Sequence, residues 1–174
     1  FESLTDPLGK AMCLRSRASA RLARAELPEA ARLLDQAEDL LEGPRELGPL
    51  PCSLHLARLA LALSEGQLTR ADEQVLLARA AMDSSPLSRG LFERLQGELA
   101  LQRGTLDEAR HHLEQAVVWL GNAGDRASLG VTLRLLGDTA ALAAQPRLAD
   151  HHYQRATREQ VRAGDIEGLA RTLE

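Results

Sequence analysis

Leu106-Asp107-Glu108-Ala109-Arg110-His111-His112-Leu113-Glu114-Gln115-Ala116 is the stretch on which the fold turns, because its pattern returns three more times along the chain. Leu27-Pro28-Glu29-Ala30 leads to Leu34 and Ala37, Leu68-Thr69-Arg70-Ala71 to Val75 and Ala78, and Pro146-Arg147-Leu148-Ala149 to Tyr153 and Ala156. An alanine, a larger residue four places on and a second alanine three places after that lie on one stripe of a helix. Self-similarity with a period of about 20–50 residues is the mark of an array of supersecondary units.

Working outward from each anchor, another helical stretch lies upstream. In two cases it carries a glycine, Gly97 or Gly137, twelve residues before Ala109 or Ala149, where a small residue lets two helices approach closely. Gly66 and Gly104 stand five residues before Ala71 and Ala109, where a helix should stop in a left-handed cap. A further echo lies between the pairs. Ala123-Gly124-Asp125, running on to Thr132-Leu133, returns forty residues later as Ala163-Gly164-Asp165, running on to Thr172-Leu173. The glycine ends one helix, and Asp125 or Asp165 can cap the next by accepting its free N–H groups.

These signals predict helices near 8–24, 28–42, 52–64, 68–82, 86–103, 106–120, 126–143, 147–162 and from 166 onward. The breaker-rich stretch from Glu42 to Pro51 makes the longest connection. The pattern resumes in phase after it, so residues 1–174 are expected to form a single domain with repeats at about 8–42, 52–82, 86–120 and 126–162 and a partial one at 166–174.

Composition agrees. Of the 174 residues 44% are hydrophobic, mostly Leu and Ala, while aromatics make up only 2%, so the intrinsic preference is for helix over sheet. No run approaches the roughly 18 apolar residues of a membrane span, and no secretory leader pattern opens the chain. A cytoplasmic protein without a membrane partner is expected. The net charge of −4, with Arg dispersed among Asp and Glu, leaves no electrostatic footprint for a phosphate backbone, so direct nucleic-acid binding is not expected. Cys13 and Cys52 lack any metal-type spacing and read as structural thiols.

The run Leu136-Gly137, Ala140, then Leu106 or its equivalent with Ala109, Leu113 and Ala116, resembles the tetratricopeptide repeat over nearly the whole chain. Anchor spacings of 41, 38 and 40 exceed that family's period of about 34 and are similar to the longer repeats of bacterial signalling proteins and large transcription activators. The family's aromatic positions are mostly filled by Leu or Ala here, and Ala144 stands where a turn glycine is expected. The resemblance implies an all-α fold in which antiparallel helix pairs stack into a right-handed superhelix. It also implies a non-catalytic scaffold for a protein or peptide, as a regulatory segment of a larger protein. The alternative is a sensor whose groove holds a ligand or peptide and shifts the superhelix between two curvatures.

In this family the first helix of each pair lines the concave face, which points to Arg15, Arg94, Glu98, Arg134 and Asp138 as partner-binding residues. Arg94 with Glu98, and Arg134 with Asp138, have the i,i+4 spacing of surface ion pairs worth about 0.3–0.5 kcal/mol. Arg15, Arg94 and Arg134 could equally form a ladder for a partner's carboxylates, since guanidinium grips an acid through two parallel hydrogen bonds. The adjoining acids argue against capture of a C-terminal carboxylate.

Other chemistry finds little support. His111-His112 and His151-His152 invite a zinc site, but zinc needs every nitrogen about 2.0–2.1 Å from one centre, while packed helices lie about 8–10 Å apart. Adjacent histidines on one helix also diverge by about 100°. No Gly-rich phosphate loop, nucleophile elbow or His-Glu-x-x-His helix occurs, so no catalytic residue, metal or cofactor is expected. Trp119, Leu120, Phe92, Tyr153 and Phe1 are expected to fill space in the core. The chain begins at Phe1 and stops at Glu174 as a fifth repeat starts, and so reads as part of something longer. Ile166, Leu169 and Leu173 of that half-repeat are expected either to fold back or to mediate self-association.

Overall fold

The computed structural model describes residues 6–42 and 51–173, and among these every regular element is a helix. The helices are α1 (Pro7–Ala23), α2 (Leu27–Glu42), α3 (Cys52–Ser64), α4 (Leu68–Ala80), α5 (Pro86–Gln102), α6 (Leu106–Ala123), α7 (Arg126–Leu142), α8 (Pro146–Ala163) and α9 (Ile166–Leu173). They pack as adjacent pairs: α1 on α2, α3 on α4, α5 on α6, α7 on α8, with α9 against α7 and α8. Most of the breaker-rich connection, 43–50, lies outside the described residues, as does Phe1.

The helix boundaries have local causes. Proline stands in the first turn of α1, α5 and α8, where its missing N–H has no partner to lose. The side chains of Ser85, Asp125 and Asp165 accept hydrogen bonds from the backbone N–H of Ser88, Ser128 and Gly168, capping α5, α7 and α9. At the far ends six helices stop in one way. After α3, α5, α6 and α8 a glycine (Gly66, Gly104, Gly124, Gly164) takes positive φ, and after α1 and α7 an alanine does, Ala25 at 58° and Ala144 at 57°. In each case the next N–H reaches back to a carbonyl in the last turn, as Gln145 N does to Ala140 O at 2.9 Å and Thr105 N to Ala100 O at 3.0 Å. Helix α6 runs three residues beyond its predicted end because Gly121 stays helical and Gly124 makes the left-handed stop.

The described chain divides into two compact units, Phe1–Met82 and Asp83–Glu174. In the first, α1 packs on α2 and α3, and Ala11, Ala18, Leu33, Leu34, Leu54 and Leu61 form the centre of its core. A buried arginine joins α2 to α3. Arg58 donates through Nε to Glu38 Oε1 at 2.6 Å and through Nη2 to Asp35 Oδ1 at 2.6 Å and Glu38 Oε2 at 2.5 Å. Burial disfavours the charged guanidinium, but the two carboxylates outweigh it and hold its pKa above the ordinary value.

In the second unit α5 packs beside α7 and α7 beside α9, while α6 bridges to α7 and α8 to α9. The anchoring alanines Ala109 and Ala149 are buried, as are Ala30 and Ala71 of the first unit. The two complete pairs of this unit share a forty-residue register, and their seams are closed by glycine. A Cβ on Gly97 would come within 2.6 Å of Leu113 Cγ, and one on Gly137 would run into the Tyr153 ring. Seven residues earlier the same device recurs, Gly90 beneath Leu120 and Gly130 beneath Gln160. These side chains lie over the glycines of the facing helix, in space that a Cβ there would take.

Candidate binding faces of the second unit

Because glycines face α6 and α8, the rotation of α5 and α7 about their own axes is set, and the residues three before and one after Gly97 and Gly137 flank the seam. On α5 these are Arg94 and Glu98, both half-buried, with Arg94 Nη1 donating to Glu98 Oε2 at 3.2 Å. On α7 the same register holds Arg134 and Asp138, with Arg134 Nη1 donating to Asp138 Oδ2 at 2.6 Å. Half-buried aliphatic residues flank them, Leu91 on one helix and Val131 on the other, and the stripe ends in exposed Leu87 and Leu142. The structure therefore brings four of the five anticipated residues into one register on neighbouring helices.

Arg15 belongs to α1 in the first unit, where its Nη2 donates to Ser16 Oγ at 3.2 Å. The Nε atoms of Arg15 and Arg94 are buried and make no hydrogen bond.

Two aromatic residues read as core filling take up polar partners. Tyr153, stacked on Gly137, donates its phenolic O–H to Asp138 Oδ1 at 2.9 Å, so Asp138 accepts from Arg134 and Tyr153 at once. Burial and the neighbouring Asp138 carboxylate push the phenol up to about 12. Trp119 is half-buried, with the Arg89 guanidinium 5.7 Å from its ring centroid. Phe92 is buried as expected of a core residue.

On α6 and α8 the histidine pairs resolve into unlike members. His111 and His151 are exposed. His112 Nδ1 lies 2.8 Å from Glu93 Oε2 and 3.5 Å from Gln96 Nε2, and Arg89 Nε approaches the same Glu93 at 3.8 Å. Among the described residues no three or more His, Cys, Asp or Glu side chains are grouped so that they could hold a metal ion. Glu93 had no distinguishing mark in the sequence, since its role depends on which way α5 is rolled.

Of the half-repeat, Ile166 is 80% exposed and Leu169 half-buried, while the Leu173 side chain lies outside the described set. Behind it Gln160 is fully buried, its Oε1 accepting from Thr172 Oγ1 at 2.9 Å and its Nε2 without a partner. No described helix is long and apolar enough to cross a membrane. Comparison with protein-family models and with curated proteins finds no match.

Proposed function

We infer that the chain is a tetratricopeptide-type repeat array that holds a protein or peptide partner, as a non-catalytic scaffold within a cytoplasmic signalling or transcription-control protein. The observation that carries this reading is the matched stripe on α5 and α7. In both helices one Arg and one acid occupy the same register, half-buried, between partly exposed aliphatic side chains. A surface that alternates apolar contact with a fixed charge pair can anchor an extended or helical segment by burial and orient it by charge.

The ion pairs suit exchange with a partner. An i,i+4 pair contributes about 0.3–0.5 kcal/mol, so a partner carboxylate that takes the guanidinium bidentately displaces little. Arg15 would extend the same chemistry to the first unit. The exposed Ile166 face of the half-repeat is the natural place for self-association.

The test is the double variant Arg94→Ala/Arg134→Ala, compared with the parent chain for partners retained from a native lysate, with helicity checked by circular dichroism. Loss of specific partners with unchanged helicity is the expected result. An unchanged partner set on a folded variant overturns the arginine assignment. Light scattering at micromolar concentration, with and without residues 165–174, tests self-association, and a monomeric mass in both cases rejects it.

A further inference from the structure

In the second unit the seam of one helix pair receives the first helix of the next, and the α5–α6 pair shows how. Leu113 of α6 and Leu101 of α5 belong to one apolar cluster with Leu133, Leu135 and Leu136 of α7. Farther along, Leu136, Thr139, Ala140 and Ala143 share with Leu106 and Arg110 of α6 a gap of only about 100 Å³.

Forty residues on, the receiving face recurs on α7 and α8, but its cover is shorter. Helix α9, Ile166–Leu173, stands in register with 126–133 of α7, so among the described residues nothing takes the places of Leu136, Thr139, Ala140 and Ala143. An open groove of about 600 Å³ lies there, lined by Ala141, Ala144, Pro146, Ala149, Asp150 and Tyr153. Exposure follows the cover. Leu113 is fully buried and Leu101, Leu106 and Arg110 are half-buried, whereas Tyr153 is half-buried and Ala141, Pro146 and Asp150 are exposed. A small molecule in so open a groove would keep much of its surface in water, while a helix laid along it would not.

The occupant's chemistry can be read from α7, which covers the equivalent face: one large aliphatic side chain, with small ones three, four and seven places on. Asp150 stands where the preceding pair has Arg110, and it accepts from Gln154 Nε2 at 2.9 Å. A Lys or Arg among the small residues would therefore meet an acid. In a second copy of the chain Leu136, Thr139 and Ala140 are already buried in its own unit.

We propose that the groove between α7 and α8, beyond Leu173 of α9, docks a short amphipathic helix of another protein, with a leucine-sized anchor, a small-residue face and a basic residue for Asp150. This rests on reading the chain as a repeat array that holds a protein partner. The groove adjoins the arginine stripe at Tyr153, whose phenol donates to Asp138, but it requires neither Arg94 nor Arg134.

Methyl and aromatic NMR of the whole chain tests it, titrated with a stapled helical peptide of residues 134–145 and with its Thr139→Lys version. The Ala141, Ala144 and Ala149 methyls and the Tyr153 ring are expected to shift saturably. Ala141→Glu, at an exposed helical position, should abolish the shifts, and the Thr139→Lys peptide should bind several-fold tighter to the parent than to Asp150→Asn. The proposal is overturned if neither peptide moves these signals, if a scrambled peptide of the same composition binds as well, or if Ala141→Glu binds like the parent. Movement of the same signals with protein concentration alone would give the groove to a second copy and also overturn it. The Arg94→Ala/Arg134→Ala variant should still bind the peptide, and loss of binding there would place the peptide on the stripe and reject the groove. Peptide binding that persists while that variant keeps every lysate partner would reject the stripe and leave the groove standing.

Discussion

The phenol of Tyr153 on α8 reaches across the seam to Asp138 on α7 and shares that carboxylate with Arg134. This joins the second helix of a pair to the polar stripe of the first. It also makes the only tyrosine of the sequence a reporter for the site.

With its pKa pushed up to about 12, Tyr153 should ionise well above the ordinary tyrosine value of about 10. Phenolate absorbance near 295 nm would show it directly, with no other tyrosine to interfere. The native state holds this proton more tightly than the unfolded chain. Its contribution to stability is therefore complete below pH 10 and declines as pH rises toward 12. Asp138→Asn should bring the midpoint down toward the ordinary value, and an unchanged midpoint would show that burial alone is responsible.

Ala25 and Ala144 sit at positive φ, where a Cβ crowds the following carbonyl at a cost of about 1–2 kcal/mol. Ala25→Gly and Ala144→Gly should each raise stability by about 1 kcal/mol once the greater flexibility of glycine in the unfolded chain is allowed for. Gly66→Ala and Gly104→Ala should lower it by a similar amount. Urea midpoints of the four variants, at unchanged m-value, decide the matter.

Gly97→Ala and Gly137→Ala should destabilise by about 1–3 kcal/mol, since the added methyl meets Leu113 in one case and Tyr153 in the other. Gly121, also helical, has nothing within 4 Å of such a methyl. Gly121→Ala should therefore stabilise by about 0.5–1 kcal/mol through helix propensity. The opposite signs of one substitution, read by thermal or urea denaturation, separate close approach from propensity.

Arg58→Met retains length but leaves Glu38 and Asp35 without their cation. A broken buried pair costs about 3–5 kcal/mol, and a loss nearer 2 kcal/mol is expected here because Asp35 is 64% exposed and can turn to water. Asp35→Ala should cost under about 1 kcal/mol, because Glu38 still receives both Nε and Nη2. A urea titration that ranks the two variants equally would refute this division of roles.

What could be read in advance follows from how local each signal is. The stops at Gly66 and Gly104, the caps at Asp125 and Asp165 and the buried anchors all depend on neighbours within a turn or two, so the helices were legible nearly to the residue. Ala25 left no such trace, and Ala144 was legible only as an alanine in the place of a turn glycine, because a positive φ is a conformation that alanine's own preference opposes. Gly90 and Gly130 become recognisable only once Gly97 and Gly137 are known to face the partner helix. The pairings of Glu93 with His112, Tyr153 with Asp138 and Arg58 with Asp35 and Glu38 depend on helix roll and on which helix lies opposite. A one-dimensional pattern carries little of that information. For the stripe itself, the residues of α5 and α7 were visible because i,i+4 spacing is local, while the part played by Tyr153 was not.

The forty-residue register of the second unit has a consequence for how such a chain can grow. From Gly124 to Ala163 the segment contains a stop, a cap, a seam of two glycines and the side chains that fill it, and Gly164 with Asp165 repeat the stop and the cap. A tandem copy of 124–163 inserted after residue 163 would again open with its stop glycine directly after an alanine and would again be followed by Gly164 and Asp165. The unit behaves as a length of interlocking track, to which a section can be added without recutting the joints.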